Sequence, residues 1–324
     1  MIFPITRLRR LRYNSALRNM LSETTLSLDD LILPLFIREG EGENHPIASM
    51  PGQYQITLEN LEKEIKEIVA LGLKAVFLFG IPLHKDTMGS ASYDHHGIIP
   101  EAIRLIKKTA PELLVISDIC FCEYTDHGHC GIIKNNAIDN DTTLEGLKKQ
   151  VIAHAQAGVD IVAPSGMMDG AVAAIRHALD EYDYFHMPIL SYSVKYASAL
   201  YGPFREAAGG APQFGDRKSH QMNPANSSEA LREAEQDIVE GADMLMVKPA
   251  SHYLDIIYRL KEKFSSVPLA AYHVSGEYSM IKAAAANGWI DETNVMMETT
   301  LAIKRAGADL IITYFAKAIA KHLK

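Results

Sequence analysis

Eight short apolar runs punctuate the chain, and most are unbroken rather than alternating. They are Leu31–Ile37, Lys74–Phe79, Leu113–Ser117, Asp160–Ala163, Ile189–Tyr192, Met244–Val247, Leu269–Tyr272 and Asp309–Thr313. A strand with one wet face alternates apolar and polar residues, whereas an unbroken run suits a strand covered on both faces of a parallel sheet. Between the runs lie helix-like stretches such as Leu58–Leu71, Leu144–Ala157, Ser228–Glu240 and Tyr253–Phe264. Gly158, Gly241 and Gly307 precede three of the runs, where a glycine ends the preceding helix. Eight strands alternating with helices predict a (β/α)8 TIM barrel. An open doubly wound sheet is the competitor, but no G-x-G-x-x-G follows the first run.

A barrel places its chemistry where the strands end. Asp118 ends "LLVISD", Ser165 ends "DIVAPS", Lys195 ends "ILSYSVK" and Lys248 ends "MLMVK". Ser275 and Tyr278 follow the seventh run, and Tyr314 ends the eighth. Lysine is rarely buried without a partner, yet Lys195 and Lys248 each close a strongly apolar strand. The plain alternative is a lysine clearing the rim into water. Two ammoniums in one low-dielectric mouth depress each other's pKa, and a neutral lysine amine attacks a carbonyl carbon to give a Schiff base. Two such lysines suggest two carbonyl substrates, or one substrate and a proton shuttle. "APSGMMDG" has no G-x-S-x-G elbow, which argues against Ser165 as a hydrolase nucleophile; Met167 and Met168 are most simply packing.

The segment Tyr196–Asn226 is long and rich in Gly, Pro and polar residues, as a lid is. Its Gly209-Gly210 pair would let it move, and Arg205, Arg217, Lys218 and Gln221 could close over a carboxylate. The alternative is a solvated surface excursion.

All the cysteines fall in "DICFCEYTDHGHCG": Cys120, Cys122 and Cys130. With no fourth cysteine, a closed four-thiolate site cannot form within one chain. Three thiolates with one open position is a catalytic zinc arrangement. A redox pair of Cys120 and Cys122 is the alternative, disfavoured by its C-x-C spacing and a surplus third thiol. His127 is a candidate fourth ligand or hydrogen-bonding group.

Composition adds bounds. The chain has 324 residues, 48% hydrophobic and 22% charged, with a formal charge of −8. The acidic balance argues against a nucleic-acid surface, and no apolar run is long enough to span a membrane. Three cysteines in so long a chain favour a reducing, cytoplasmic setting. Residues 1–22 carry Arg7, Arg9, Arg10, Arg12 and Arg18 and no acid. A transit peptide can look like this, but an arm gripping another subunit is the preferred reading.

The cysteine loop, "VAPSGMMDG", "SYSVKYAS", "YGPFREAAGGAPQFGDRKSHQMNP", "GADMLMVKPA" and "AYHVSGEY" together resemble the porphobilinogen synthase (5-aminolevulinate dehydratase) family. The likeness runs from "RLRRLR" to "ITYFAK", essentially the whole chain. It implies an arm over residues 1–29 and a catalytic barrel over 30–324, with its lid at about 196–226. It further implies condensation of two 5-aminolevulinate molecules to porphobilinogen, with loss of water, on the way to haem and other tetrapyrroles. By motif, Lys248 matches the Schiff-base lysine for the substrate that becomes the propionate half, and Lys195 the lysine for the acetate half. Arg205, Arg217 and Gln221 match groups holding the second carboxylate; Ser275 and Tyr314 match those holding the first, and Ser165 counts with the substrate-binding residues. Asp118 matches a carboxylate assisting proton transfer, and Cys120, Cys122 and Cys130 the family's zinc ligands. The full cysteine set resembles the zinc-using type rather than the magnesium-using one. Glu233 matches an optional magnesium ligand away from the chemistry, with Glu235 close by and a solvated helix face as the alternative. The arm implies a homo-octamer built from dimers, with hexamers also possible. Two other readings remain open at this level: a class I aldolase-type barrel with one Schiff-base lysine, and a non-catalytic thiol–metal sensor.

Overall fold

The computed structural model describes residues 3–324. Each of the eight apolar runs forms a strand: β1 (Leu31–Arg38), β2 (Ala75–Ile81), β3 (Leu114–Ile119), β4 (Ile161–Pro164), β5 (Leu190–Lys195), β6 (Met244–Lys248), β7 (Leu269–His273) and β8 (Leu310–Thr313). Neighbours in sequence are parallel neighbours in space, and β8 returns to β1 with Leu31 opposite Ile311. The seam between β4 and β5 is held by the bridge Val162–Ile189. The result is the expected (β/α)8 barrel.

Helices cover the outside: α1 (Leu58–Ala70), α2 (Ile98–Thr109), α3 (Asn140–Ala157), α4 (Ala171–Glu181), α5 (Glu229–Glu240), α6 (Leu254–Lys263), α7 (Ser275–Ala286), α8 (Glu292–Arg305) and α9 (Ala316–Leu323). α1 turns Leu61, Ile65 and Ile68 inward at helical spacing. α3 begins four residues before the apolar pattern does, because the Asp139 side chain accepts from the Thr142 amide and caps it. Gly158 and Gly241 end α3 and α5 with φ of 95° and 105°, a left-handed turn where a side chain is strained.

The barrel interior is filled rather than hollow. Phe77 and Phe79, two residues apart on β2, point the same way and stack at 5.2 Å between ring centres. Tyr192 meets Phe77 edge-on at 6.0 Å, and Tyr314 stacks on Phe36 at 5.9 Å. Each such ring contributes roughly 1.5–3 kcal/mol by leaving water.

Two segments stand off this frame. The lid stretch is more ordered than its composition predicts, holding a 3-10 turn at Ala199–Tyr201 and a short helix at Gly202–Ala207. The described part of the arm exposes Phe3, Ile5, Leu8, Tyr13 and Met20 and buries nothing through its helix Ser15–Met20; Met1 and Ile2 of the expected arm lie outside the described residues. Among the described residues no helix is long and apolar enough to cross a membrane.

Candidate active site

Lys195 and Lys248 end adjacent strands and stand opposite each other in register. Both are 5% exposed. Lys195 Nζ donates to the Ser165 carbonyl. Lys248 Nζ instead sits among rings, 4.2 Å from the centre of Tyr272 and 4.9 Å from that of Tyr192. Aromatic faces attract a cation, but they solvate it less well than water. Burial, and next the Lys195 charge, push the Lys248 amine down to about 7. Nearby on β3, burial and then the Glu123 charge push the Asp118 carboxyl up to about 7. Asp118 Oδ2 accepts from Ser165 Oγ at 3.0 Å, while Oδ1 is buried without a partner.

The loop after β3 turns Cys120, Cys122 and Cys130 inward, all buried and reduced, with sulfurs within 4.8 Å of one another. Cys120 and Cys122 sulfurs are 3.5 Å apart. Tetrahedral zinc–thiolate bonds of about 2.3 Å place sulfurs about 3.8 Å apart, so the triad suits such an ion. Gln150 on α3 donates to the Cys120 carbonyl at 3.0 Å and fixes the loop from behind. Glu123, absent from the expected site, is 2% exposed; its carboxylate forms a second close group with Asp118 and Cys120. Its place between Cys122 and Cys130 was the available signal.

The segment expected to be a lid packs onto this loop. Arg217 Nη2 donates to the carbonyls of Gly128 at 2.8 Å and Gly210 at 2.6 Å, and the Gln213 amide donates to the His127 carbonyl at 3.0 Å. Gly210 packs against the Cys122 carbonyl so closely that a Cβ would stand 2.9 Å from it. Lys85 Nζ, from the loop after β2, holds the Gly209 carbonyl at 2.7 Å. Asp118, Cys122, Glu123, Ser165, Lys195, Arg217 and Lys248 enclose one cavity with Phe79, Tyr201 and Phe204. Its volume is about 20 Å³, room for roughly one water.

Other expected residues distribute as follows. Gln221 is buried with Nε2 free, and Arg205 and Arg217 each leave Nε buried and free. Ser275 Oγ accepts from the lid amide of Phe204 at 2.9 Å, and Tyr314 hydroxyl pairs with Tyr272 at 3.1 Å. Lys218 points outward beside Asp216 rather than over the cavity. Tyr278 hydroxyl is taken by the Pro51 carbonyl at 2.6 Å. His127 engages the Thr87 carbonyl and the His129 amide, and its ring is not among the clustered donors. Glu233 lies apart on α5, in a groove with Asp169 and Gln236; Glu235 pairs with Lys263 at 2.8 Å.

Known proteins resemble the chain along nearly its whole length. A family profile described as delta-aminolevulinic acid dehydratase matches residues 5–322. A delta-aminolevulinic acid dehydratase of Halalkalibacterium halodurans is 56% identical over 315 residues, covering 97% of this chain and 96% of the relative. The Synechocystis enzyme of the same name is 54% identical over 327 residues, covering 100% of both. A solved structure of the Toxoplasma gondii delta-aminolevulinic acid dehydratase (porphobilinogen synthase), in complex with its product porphobilinogen, superposes with a TM-score of 0.95 at 45% identity, covering 98% of this chain and 91% of that one. The chain therefore belongs to the delta-aminolevulinic acid dehydratase family of hydro-lyases.

Proposed function

We propose that the chain condenses two molecules of 5-aminolevulinate to porphobilinogen through Schiff bases on Lys248 and Lys195. The observation that carries this reading is the in-register pair of buried lysines in one cavity with the thiol cluster. Lys248, its amine pushed down to about 7, is in part neutral near pH 7 and attacks the substrate ketone. Lys195 takes the second ketone, and its iminium acidifies the neighbouring carbon. Free donors on Arg205, Arg217 and Gln221 meet one carboxylate, while Ser275 and Tyr314 meet the other. Asp118, held by Ser165, takes and returns protons. The surrounding rings exclude water, which protects imines from hydrolysis.

Cys120, Cys122 and Cys130 would hold zinc, which would supply Lewis-acid chemistry beside the cavity that Cys122 lines. Glu233 is proposed as a magnesium ligand outside the site, since Glu235 is engaged by Lys263. The exposed apolar residues of the arm support association with further copies, as a homo-octamer or hexamer. Three free cysteines support a cytoplasmic setting.

Borohydride reduction with 5-aminolevulinate, followed by mapping of the labelled lysine, tests the reading alongside an assay for pyrrole formation. An adduct on Lys248 and pyrrole product are expected; no adduct there overturns the assignment.

A further inference from the structure

The three thiols sit on a loop, and loop side chains keep a fixed geometry only when something holds the backbone beneath them. Within the loop, the Phe121 carbonyl accepts from the Tyr124 and Thr125 amides at 2.9 Å, and Thr125 Oγ1 donates to the His129 carbonyl at 3.0 Å. These bonds shape the loop; contacts with α3 tie it down at both ends. Such ties matter because three thiolates repel one another, and a loose loop would let them splay.

Thr143, Gly146 and Gln150 stand at i, i+3 and i+7 of α3, on one face of the helix. Each meets a different part of the loop. Gln150 Nε2 donates to the Cys120 carbonyl at 3.0 Å, at the start of the loop. Gly146 receives the ring of Phe121, the residue between Cys120 and Cys122; a Cβ there would stand 2.6 Å from the ring. Thr143 Oγ1 accepts from the Ile132 amide at 3.0 Å, two residues past Cys130, and donates to the Asp139 carbonyl at 2.7 Å. Gly131 packs on the same Thr143 side chain, where a Cβ would come within 2.5 Å of Oγ1. Thr143 and Gln150 are fully buried, and Gln150 Oε1 has no partner among the described residues. A half-bonded buried amide is unfavourable, so packing alone would favour an apolar residue at this position. What the amide adds is its bond to Cys120.

We infer that this face of α3 presets the thiol triad for its metal ion, with Gln150 and Thr143 as positioning residues and Gly146 as the socket for Phe121. The inference rests on the reading of the triad as a zinc site and deepens it. Neither Gln150 nor Thr143 lines the cavity, so each acts on the chemistry only through the cysteines. Because the two bonds hold opposite ends of the loop, losing either lets one sulfur drift while the donor set stays the same. The signature is weaker metal binding by an unchanged set of three thiolates.

The test uses the full-length chain, stripped of metal and titrated with zinc against a chromophoric chelator, then with cobalt(II), whose thiolate charge-transfer band counts the bound sulfurs. Gln150→Met keeps the volume and removes the donor. Thr143→Val keeps the shape and removes the hydroxyl, which Thr143→Ser restores. Zinc affinity is expected to fall about 10- to 100-fold in Gln150→Met and Thr143→Val and to stay within about threefold in Thr143→Ser, with the three-thiolate cobalt band retained throughout. Leu61→Ala, in the buried face of α1, is the control: it should lower the unfolding midpoint yet hold zinc within about twofold. Unchanged zinc affinity in either Gln150→Met or Thr143→Val would overturn the inference. An equal loss in Leu61→Ala would do so too, because the effect would then be one of general stability. An unaltered chain that takes up no zinc would overturn the metal reading itself, and this inference with it.

Discussion

Lys195 and Lys248 face each other in register across adjacent parallel strands, yet their environments differ. Lys195 has a carbonyl partner in Ser165, whereas Lys248 is surrounded by rings, and burial followed by the Lys195 charge lowers its pKa. Replacing Lys248 by Met is expected to abolish the borohydride-trapped adduct and lower kcat roughly a thousandfold or more. In the unaltered chain, trapping at Lys248 should rise as pH passes upward through about 7. A yield flat from pH 6 to 8 would count against a titrating Lys248.

The same lysine has a stability signature. Its folded pKa of about 7 lies below its ordinary value of 10.5, so between these the unfolded chain binds the extra proton. Stability from this group therefore rises with pH across that window and is lowest below it. Lys248→Met should stabilise the chain by on the order of 1–2 kcal/mol at pH 7, with the gain shrinking toward pH 10, as measured by denaturant unfolding.

Removing one thiolate tests the metal assignment. Cys130→Ser is expected to weaken zinc binding beyond the roughly 10- to 100-fold typical of losing an outer-shell partner. Strong chelation should stop pyrrole formation, and zinc should restore it. Activity untouched by chelation would refute the catalytic metal.

A cavity of about 20 Å³ is too small for the proposed substrate, so entry is expected to need the segment over it to lift. The Lys85–Gly209 bond is one of the contacts that must break. Lys85→Met should speed amide exchange over residues 205–217 about tenfold without raising it in the barrel strands. Gly128→Ala should act in the same direction, by about 1–3 kcal/mol, because φ there is +69° and a Cβ would strike the Ala211 carbonyl.

Deleting residues 3–21 removes the exposed Phe3, Ile5, Leu8, Tyr13 and Met20. Sedimentation is expected to show a smaller assembly with the barrel still folded, because the arm contributes no buried residue through its helix.

Much of the site was legible because each strand is a few residues long and ends where its apolar run ends. Asp118, Ser165, Lys195 and Lys248 could be placed by counting along "LLVISD", "DIVAPS", "SYSVK" and "MLMVK". The lid residues were less legible, since loop side chains take their direction from contacts remote in sequence. Lys218 follows Arg217 directly, yet one faces solvent and the other is buried against Gly128. Tyr278 resembles a site residue by position, but on α7 it turns to Pro51. Glu123 went unnoticed among cysteines because a carboxylate on a loop is usually solvated.

The sequence by itself determined the barrel, the two strand-end lysines and the three-thiol loop, because strand burial and residue chemistry are local properties. Only the tertiary structure decided that Lys85 holds the Gly209 carbonyl, that one Arg217 nitrogen bonds two carbonyls, and that Glu123 lines the cavity with one oxygen unpaired. Those outcomes depend on which backbone groups lie across a gap between distant segments, and hydrogen bonding in a closed space is settled by that geometry alone.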